Sequence, residues 1–242
     1  MGGREVTALV GFIPRLLVAV ILLSLPLAVA PTTTAEPCPD IGVAFARGTA
    51  EQPGPGVAGQ RFIDSLRAQA APRTVGVYGV NYPASSDFAS GPAFTMNVVD
   101  GVRDELNHVR GVVSVCPSTE MVLGGYSQGA AVTALATSGA VPAGVDPSMV
   151  PAPLPPDVAE NVAAVVLFGK PSGPSVFKYG VPALDVGPAY AGRAQELCAP
   201  GDPVCSGGPG VNGAHVQYAV NGLADQGAAF VVSRLEPIPA PM

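Results

Sequence analysis

The sequence predicts an α/β fold: a three-layer α/β/α sandwich around about five mostly parallel strands. Three observations carry this reading. Short apolar runs alternate along the chain with stretches of helical periodicity. Those runs lack polar alternation, so their strands need cover on both faces, as strands of a parallel sheet do. Glycine and proline, 30 and 27 of them, fall mainly between the elements rather than inside them.

Ile41 to Phe45 is a short apolar run and reads as the first strand, followed by a Gly/Pro loop from Gln52 to Gly59. Arg61 to Ala71 carries apolar residues at 62, 63, 66 and 70, a helical stripe. Val75 to Tyr82 is rich in Val and Tyr and reads as the second strand. Asp87 to Val109 is mostly helix, with Val99, Val102, Leu106 and Val109 on one face. Met121 to Gly125 is the third strand and Gln128 to Thr137 the helix after it. Val141 to Pro156 holds six prolines and reads as a surface excursion, neither helix nor central strand. Asn161 to Phe168 is the fourth strand, Gln195 to Leu197 a short fifth, and Ala214 to Ala229 the place for a closing helix.

Residues 1–35 read as a signal peptide. Arg4 and Arg15 precede an uncharged run, Leu16 to Ala30, that ends in small residues suited to signal peptidase. That run is too short for stable membrane insertion, which takes roughly 20 apolar residues. Residues 36–242, about 205 in all, suffice for one domain with a substantial core. Charged residues make up 12% and the net charge is −6, which leaves no basic patch for nucleic acid and no attraction to anionic lipid. The expected product is a secreted monomer, free or held at the cell envelope.

All four cysteines, Cys38, Cys116, Cys198 and Cys205, follow the leader, and an even count in an exported chain implies two disulfides. Three pairings are possible. Cys198 and Cys205 lie close in sequence across a turn-rich stretch and are the easiest to close, which leaves Cys38 for Cys116. A zinc site would need tighter ligand pairs, so no metal or cofactor is expected.

Gly125-Tyr126-Ser127-Gln128-Gly129 fits G-x-S-x-G between a strand and a helix, the setting of a nucleophile elbow. A serine nucleophile needs a base, a group that orients the base, and donors for the oxyanion. Only two histidines exist. His108 lies about 200° around its helix from Leu106 and so faces solvent. His215 follows the serine and suits the order serine, acid, histidine of α/β-hydrolases. Of the carboxylates between them, Asp146, Asp157, Glu160, Asp185, Glu196 and Asp202, only Asp202 lies inside the Cys198–Cys205 stretch, where a small ring would fix its backbone. The oxyanion donors are expected at Gln128 and at Thr49, in the loop after the first strand. Val211, beside the base, is expected to touch the acyl chain.

These pieces resemble the cutinase family. The resemblance rests on "FARGTAE" at 45–51, "GGYSQGA" at 124–130, "CAPGDPVC" at 198–205 and His215, in that order, and spans about Cys38 to Phe230. It implies an α/β-hydrolase-like, cutinase-like fold. It also implies Ser127 as nucleophile, Asp202 as acid, His215 as base, Thr49 and Gln128 at the oxyanion, and disulfides Cys38–Cys116 and Cys198–Cys205. Ester hydrolysis at a fairly open, lidless site follows, on short- to medium-chain acyl esters that extend to lipids or polyesters. Two departures stand out: Thr49 where fungal members carry serine, and the long excursion at 141–156. An acyltransferase or thioesterase on the same elbow, and a non-catalytic surface protein with a vestigial site, are the competing readings.

Overall fold

The computed structural model describes residues 2–3, 37–138, 146–177 and 183–237. The chain divides into two units, Met1–Glu36 and Pro37–Met242. The expected signal peptide, Gly2 and Gly3 apart, lies outside the described residues, as do residues 141–145 of the proline-rich excursion.

Five strands form the sheet: β1 (Ile41–Ala46), β2 (Val75–Gly79), β3 (Glu120–Tyr126), β4 (Val162–Phe168) and β5 (Ala194–Leu197). Their order is β2-β1-β3-β4-β5, and every pairing is parallel. β1 and β3 sit centrally, so all six residues of β1 are buried. Successive strand side chains point to opposite faces, and each face has its own core. Ala44, Ala46, Leu123, Val165 and Leu167 face one cluster. Val43, Phe45, Val122, Val166 and Phe168 face the other.

The helices are α1 (Gly56–Ala70), α2 (Pro92–Val115), α3 (Gln128–Thr137), the short α4 (Pro156–Glu160), α5 (Gly173–Phe177) and α6 (Pro203–Ser206), and α7 (Leu223–Val232). α2 and α3 contribute to the first cluster, α1 and α7 to the second. This is the expected three-layer sandwich. Under α1, the rings of Phe45, Phe62 and Phe168 meet with centroids 5.6 to 6.2 Å apart. Such contacts add to what burial of the rings alone provides.

Boundaries moved where tertiary contacts overrode local pattern. β2 ends at Gly79 rather than Tyr82, because the buried Arg47 side chain donates to the carbonyls of Val80 and Tyr82. α2 runs on to Val115, where the Cys38–Cys116 disulfide ties its end to the start of the described domain. The expected closing helix is two elements: a single 3-10 turn at Ala214–Val216, then α7. Gly213 and Gly222, with φ of 81° and 84°, bracket that turn. A continuous helix over 214–229 is impossible with Gly222 in the left-handed region, and the break leaves His215 on its own short turn. Among the described residues no helix is long and apolar enough to cross a membrane.

Candidate active site

β3 ends at Tyr126 and the chain turns directly into α3 through Ser127, with φ 55° and ψ −116°. A non-glycine residue held there costs about 1–3 kcal/mol, so the surroundings must enforce it. The Ser127 N–H donates to the Phe168 carbonyl at 2.9 Å, and the Ser127 carbonyl accepts from Ala131 N–H at 3.2 Å. A Cβ on Gly125 would overlap the Gly129 carbonyl, and one on Gly129 would overlap the carbonyls of Ala46 and Arg47. The two glycines of the motif are thus set by close backbone approach. Their absence of side chains lets the elbow fold tightly enough to present the hydroxyl.

His215 comes to this hydroxyl from 88 residues away, its Nε2 2.8 Å from Ser127 Oγ. Its Nδ1 lies 2.7 Å from Asp202 Oδ2. A carboxylate only accepts, so Nδ1–H donates to Asp202 and the Nε2 lone pair is left to accept the serine proton. Asp202 is fully buried. It also accepts from the Tyr218 hydroxyl at 2.6 Å and from Val204 N–H at 2.8 Å. Burial pushes its carboxyl up, but the bonds from Tyr218, His215 and Val204 together outweigh that and hold it below the usual carboxylate range. The acid is therefore ionised.

The Cys198–Cys205 disulfide closes the loop that carries Asp202, with Cα atoms 5.8 Å apart. Asp202 caps α6, and its own N–H donates to Ala199 O at 3.0 Å. The Tyr126 hydroxyl holds the His215 carbonyl at 2.6 Å. Gly169, at φ 56°, passes so near that a Cβ would meet Tyr218 and His215 Cε1 at 3.0–3.1 Å.

Thr49 and Gln128 line the same cavity as Ser127 and His215. Gln128 is the first residue of α3, so its N–H has no partner within the helix. Its side chain donates to Ser85 O at 3.0 Å. The loop carrying Thr49 is braced on both sides. Glu51 accepts from Gly48 N–H at 2.6 Å and from Val57 N–H at 2.8 Å, while Ala50 N–H donates to Ala84 O at 2.8 Å.

Two expectations are corrected. His108 does not face open solvent: its ring stacks on Tyr78 at 3.8 Å, nearly parallel. Tyr78 reaches from β2 to this flank of α2, its hydroxyl donating to Asp104 at 2.9 Å. Burial lowers the imidazole pKa, against the opposing pull of Asp104. Val211 is 66% exposed and lies over Gly201, away from the cavity; Val216 lines it instead. Sequence reasoning also missed Tyr218, Tyr126, Arg47 and Glu51. The one signal for Tyr218 is its place three residues after His215, which brings both side chains toward Asp202. From Ser127 the site opens onto a cavity of about 820 Å³ lined by residues of α2 and α3 together with Leu184, Val204 and Val216.

Residues 37–235 match the family model described as Cutinase. A probable carboxylesterase of Mycobacterium tuberculosis, Culp7, is 49% identical over 69% of this chain and 89% of its own length. Carboxylesterase Culp1 of the same organism is 44% identical over 84% of each. Among solved structures, a Trichoderma reesei cutinase in complex with a phosphonate inhibitor is 34% identical, with a TM-score of 0.59 over 83% of this chain and 78% of that one. The chain therefore belongs to the cutinase family and is a carboxylic ester hydrolase.

Proposed function

We propose that the protein is an exported, monomeric serine esterase in which Ser127 is the nucleophile, His215 the base and Asp202 the acid that orients it. The carrying observation is the unbroken hydrogen-bond chain Ser127–His215–Asp202 at 2.8 and 2.7 Å, opening on an apolar cavity. The Leu16–Ala30 run and the two disulfides support export.

His215 Nε2 takes the hydroxyl proton as Ser127 Oγ bonds to the ester carbonyl carbon. The developing oxyanion is met by the N–H of Gln128 and by Thr49. The tetrahedral carbon then expels the alkoxide, which takes the proton from His215 and leaves as alcohol. Water repeats the sequence on the acyl-enzyme: His215 removes its proton, hydroxide adds to the carbonyl, and the Ser127 Oγ–carbon bond breaks. Serine regains its proton and the acid is freed. Asp202 keeps its charge throughout and stabilises the imidazolium between the two transfers.

A fluorophosphonate probe tests this. One equivalent should label native protein, with mass spectrometry placing the adduct on Ser127, and Ser127→Ala should take none. Native protein that hydrolyses esters without labelling at Ser127 would sink the assignment. Product analysis with water against added alcohols separates hydrolysis from acyl transfer.

A further inference from the structure

We propose that Asn212–Gly213 is a site of spontaneous backbone rearrangement, at which Asn212 becomes isoaspartate and displaces His215. The reaction needs an asparagine carboxamide within reach of the next residue's peptide nitrogen. It also needs a next residue with no side chain to block the approach. Six asparagines occur in the chain, and glycine follows two of them, Asn212 and Asn221. The other four precede Tyr82, Val98, His108 and Val162.

The structure separates the two Asn-Gly pairs. Asn221 is engaged: its Oδ1 accepts from Leu223 N–H at 3.1 Å, at the start of α7, and its own N–H donates to Gln217 O at 2.9 Å. Asn212 is exposed. Among the described residues neither its carboxamide nor the Gly213 N–H has a hydrogen-bond partner. No atom lies within 4 Å of where a Cβ on Gly213 would stand, so the ring has room to close.

The reaction balances with water alone. Base removes the Gly213 amide proton, and the nitrogen bonds to Asn212 Cγ. The tetrahedral carbon expels ammonia, with a proton returned by the solvent, and leaves a five-membered succinimide. Water then adds to one of the two ring carbonyls. Opening on one side gives aspartate. Opening on the other routes the main chain through the former side chain and gives isoaspartate, one methylene longer.

The turn that would lengthen carries the base. Val211 N–H donates to Gly201 O at 2.8 Å, next to Asp202, and Ala214 N–H closes onto Val211 O at 3.1 Å. Asn212 and Gly213 are the two central residues of that turn, with Gly213 at φ 81° and ψ −6°. His215 follows at once, so the turn sets its distance from Asp202. An added methylene lengthens the path by about 1.5 Å. A misplacement of about 1 Å can cost about a hundredfold in rate. The loss of activity rests on the reading of His215 as base; the rearrangement itself does not.

Folded wild-type protein is held at pH 8.5 and 37 °C, and samples are taken for peptide mapping and for ester hydrolysis. Isoaspartate should accumulate at residue 212 at least tenfold faster than at 221, and activity should fall in step with it. Asn212→Gln closes its larger ring far more slowly; it should start at wild-type kcat and decay at least tenfold more slowly. Residue 212 unaltered after activity has gone, or Asn212→Gln decaying at the wild-type rate, overturns the proposal. So does a purified isoaspartate form that keeps full activity. If fresh protein cleaves no ester, the esterase reading fails while the mapping still decides the rearrangement.

Discussion

Asp202→Asn protein should hydrolyse esters about ten-thousandfold more slowly than wild type at neutral pH, with KM little changed; that is the size of the effect when the aspartate of a Ser-His-Asp protease is changed in the same way. The reason lies in the donors around this side chain. Oδ1 accepts from Val204 N–H, while Oδ2 accepts from both Tyr218 and His215. Asparagine has one oxygen for these three donors. With that oxygen toward Val204, its NH₂ faces His215 Nδ1 and forces the proton onto Nε2. The imidazole then donates to Ser127 instead of accepting from it. With the amide flipped, NH₂ opposes the Val204 N–H and the α6 cap is lost. Steady-state kinetics on folded Asp202→Asn protein checks this, and a loss under tenfold would mean that His215 does not depend on this carboxylate.

Tyr218→Phe separates orientation from charge. It removes one of the bonds that hold the Asp202 carboxyl down while His215 and Val204 remain. The Asp202 pKa should rise, and kcat at neutral pH should fall about tenfold with KM little changed, on the scale of one charge-assisted hydrogen bond. A merely structural role for Tyr218 would lower stability and leave kcat of the folded protein in place.

The three residues that the structure brings together, Ser127, His215 and Asp202, were legible in the sequence because each stands in a local context that constrains it. The serine sits between glycines at a strand–helix junction, the aspartate inside a short cysteine ring, and the histidine in a chain that has only one other. α3 matched its predicted bounds of Gln128 to Thr137 for the same reason: the elbow fixes its start. What was illegible depends on contacts between distant segments. Arg47 shortens β2 by bonding across 33 and 35 residues. His108 reads as solvent-facing from helical periodicity, since periodicity records only the face turned to the core and not the Tyr78 ring that covers the flank. Tyr218 belongs to the site through a carboxylate 16 residues earlier.

The largest stability effect is expected at a carboxyl that the chemistry does not use. Glu105, on α2, is fully buried, and its Oε1 lies 3.1 Å from Thr133 Oγ1. The same hydroxyl is 3.0 Å from the Gly124 carbonyl, just before the elbow. A hydroxyl has one proton and cannot serve both acceptors. If Glu105 is protonated the conflict disappears: Glu105 donates to Thr133, and Thr133 donates to Gly124. Burial pushes this carboxyl up to about 8, with the Thr133 bond opposing and the charge of Asp104 reinforcing the shift. Between about 4.5 and 8 the unfolded chain sheds this proton and the folded protein keeps it, so stability falls as pH rises through that window. The full swing is on the order of 5 kcal/mol, at 1.36 kcal/mol per unit. Glu105→Gln cannot ionise but keeps a donor for Thr133. Its stability relative to wild type should therefore climb by several kcal/mol between pH 5 and pH 8 in urea denaturation. A difference that stays constant across that range would mean Glu105 is ionised in the folded protein, and the hydrogen-bond order Glu105 to Thr133 to Gly124 would have to be abandoned.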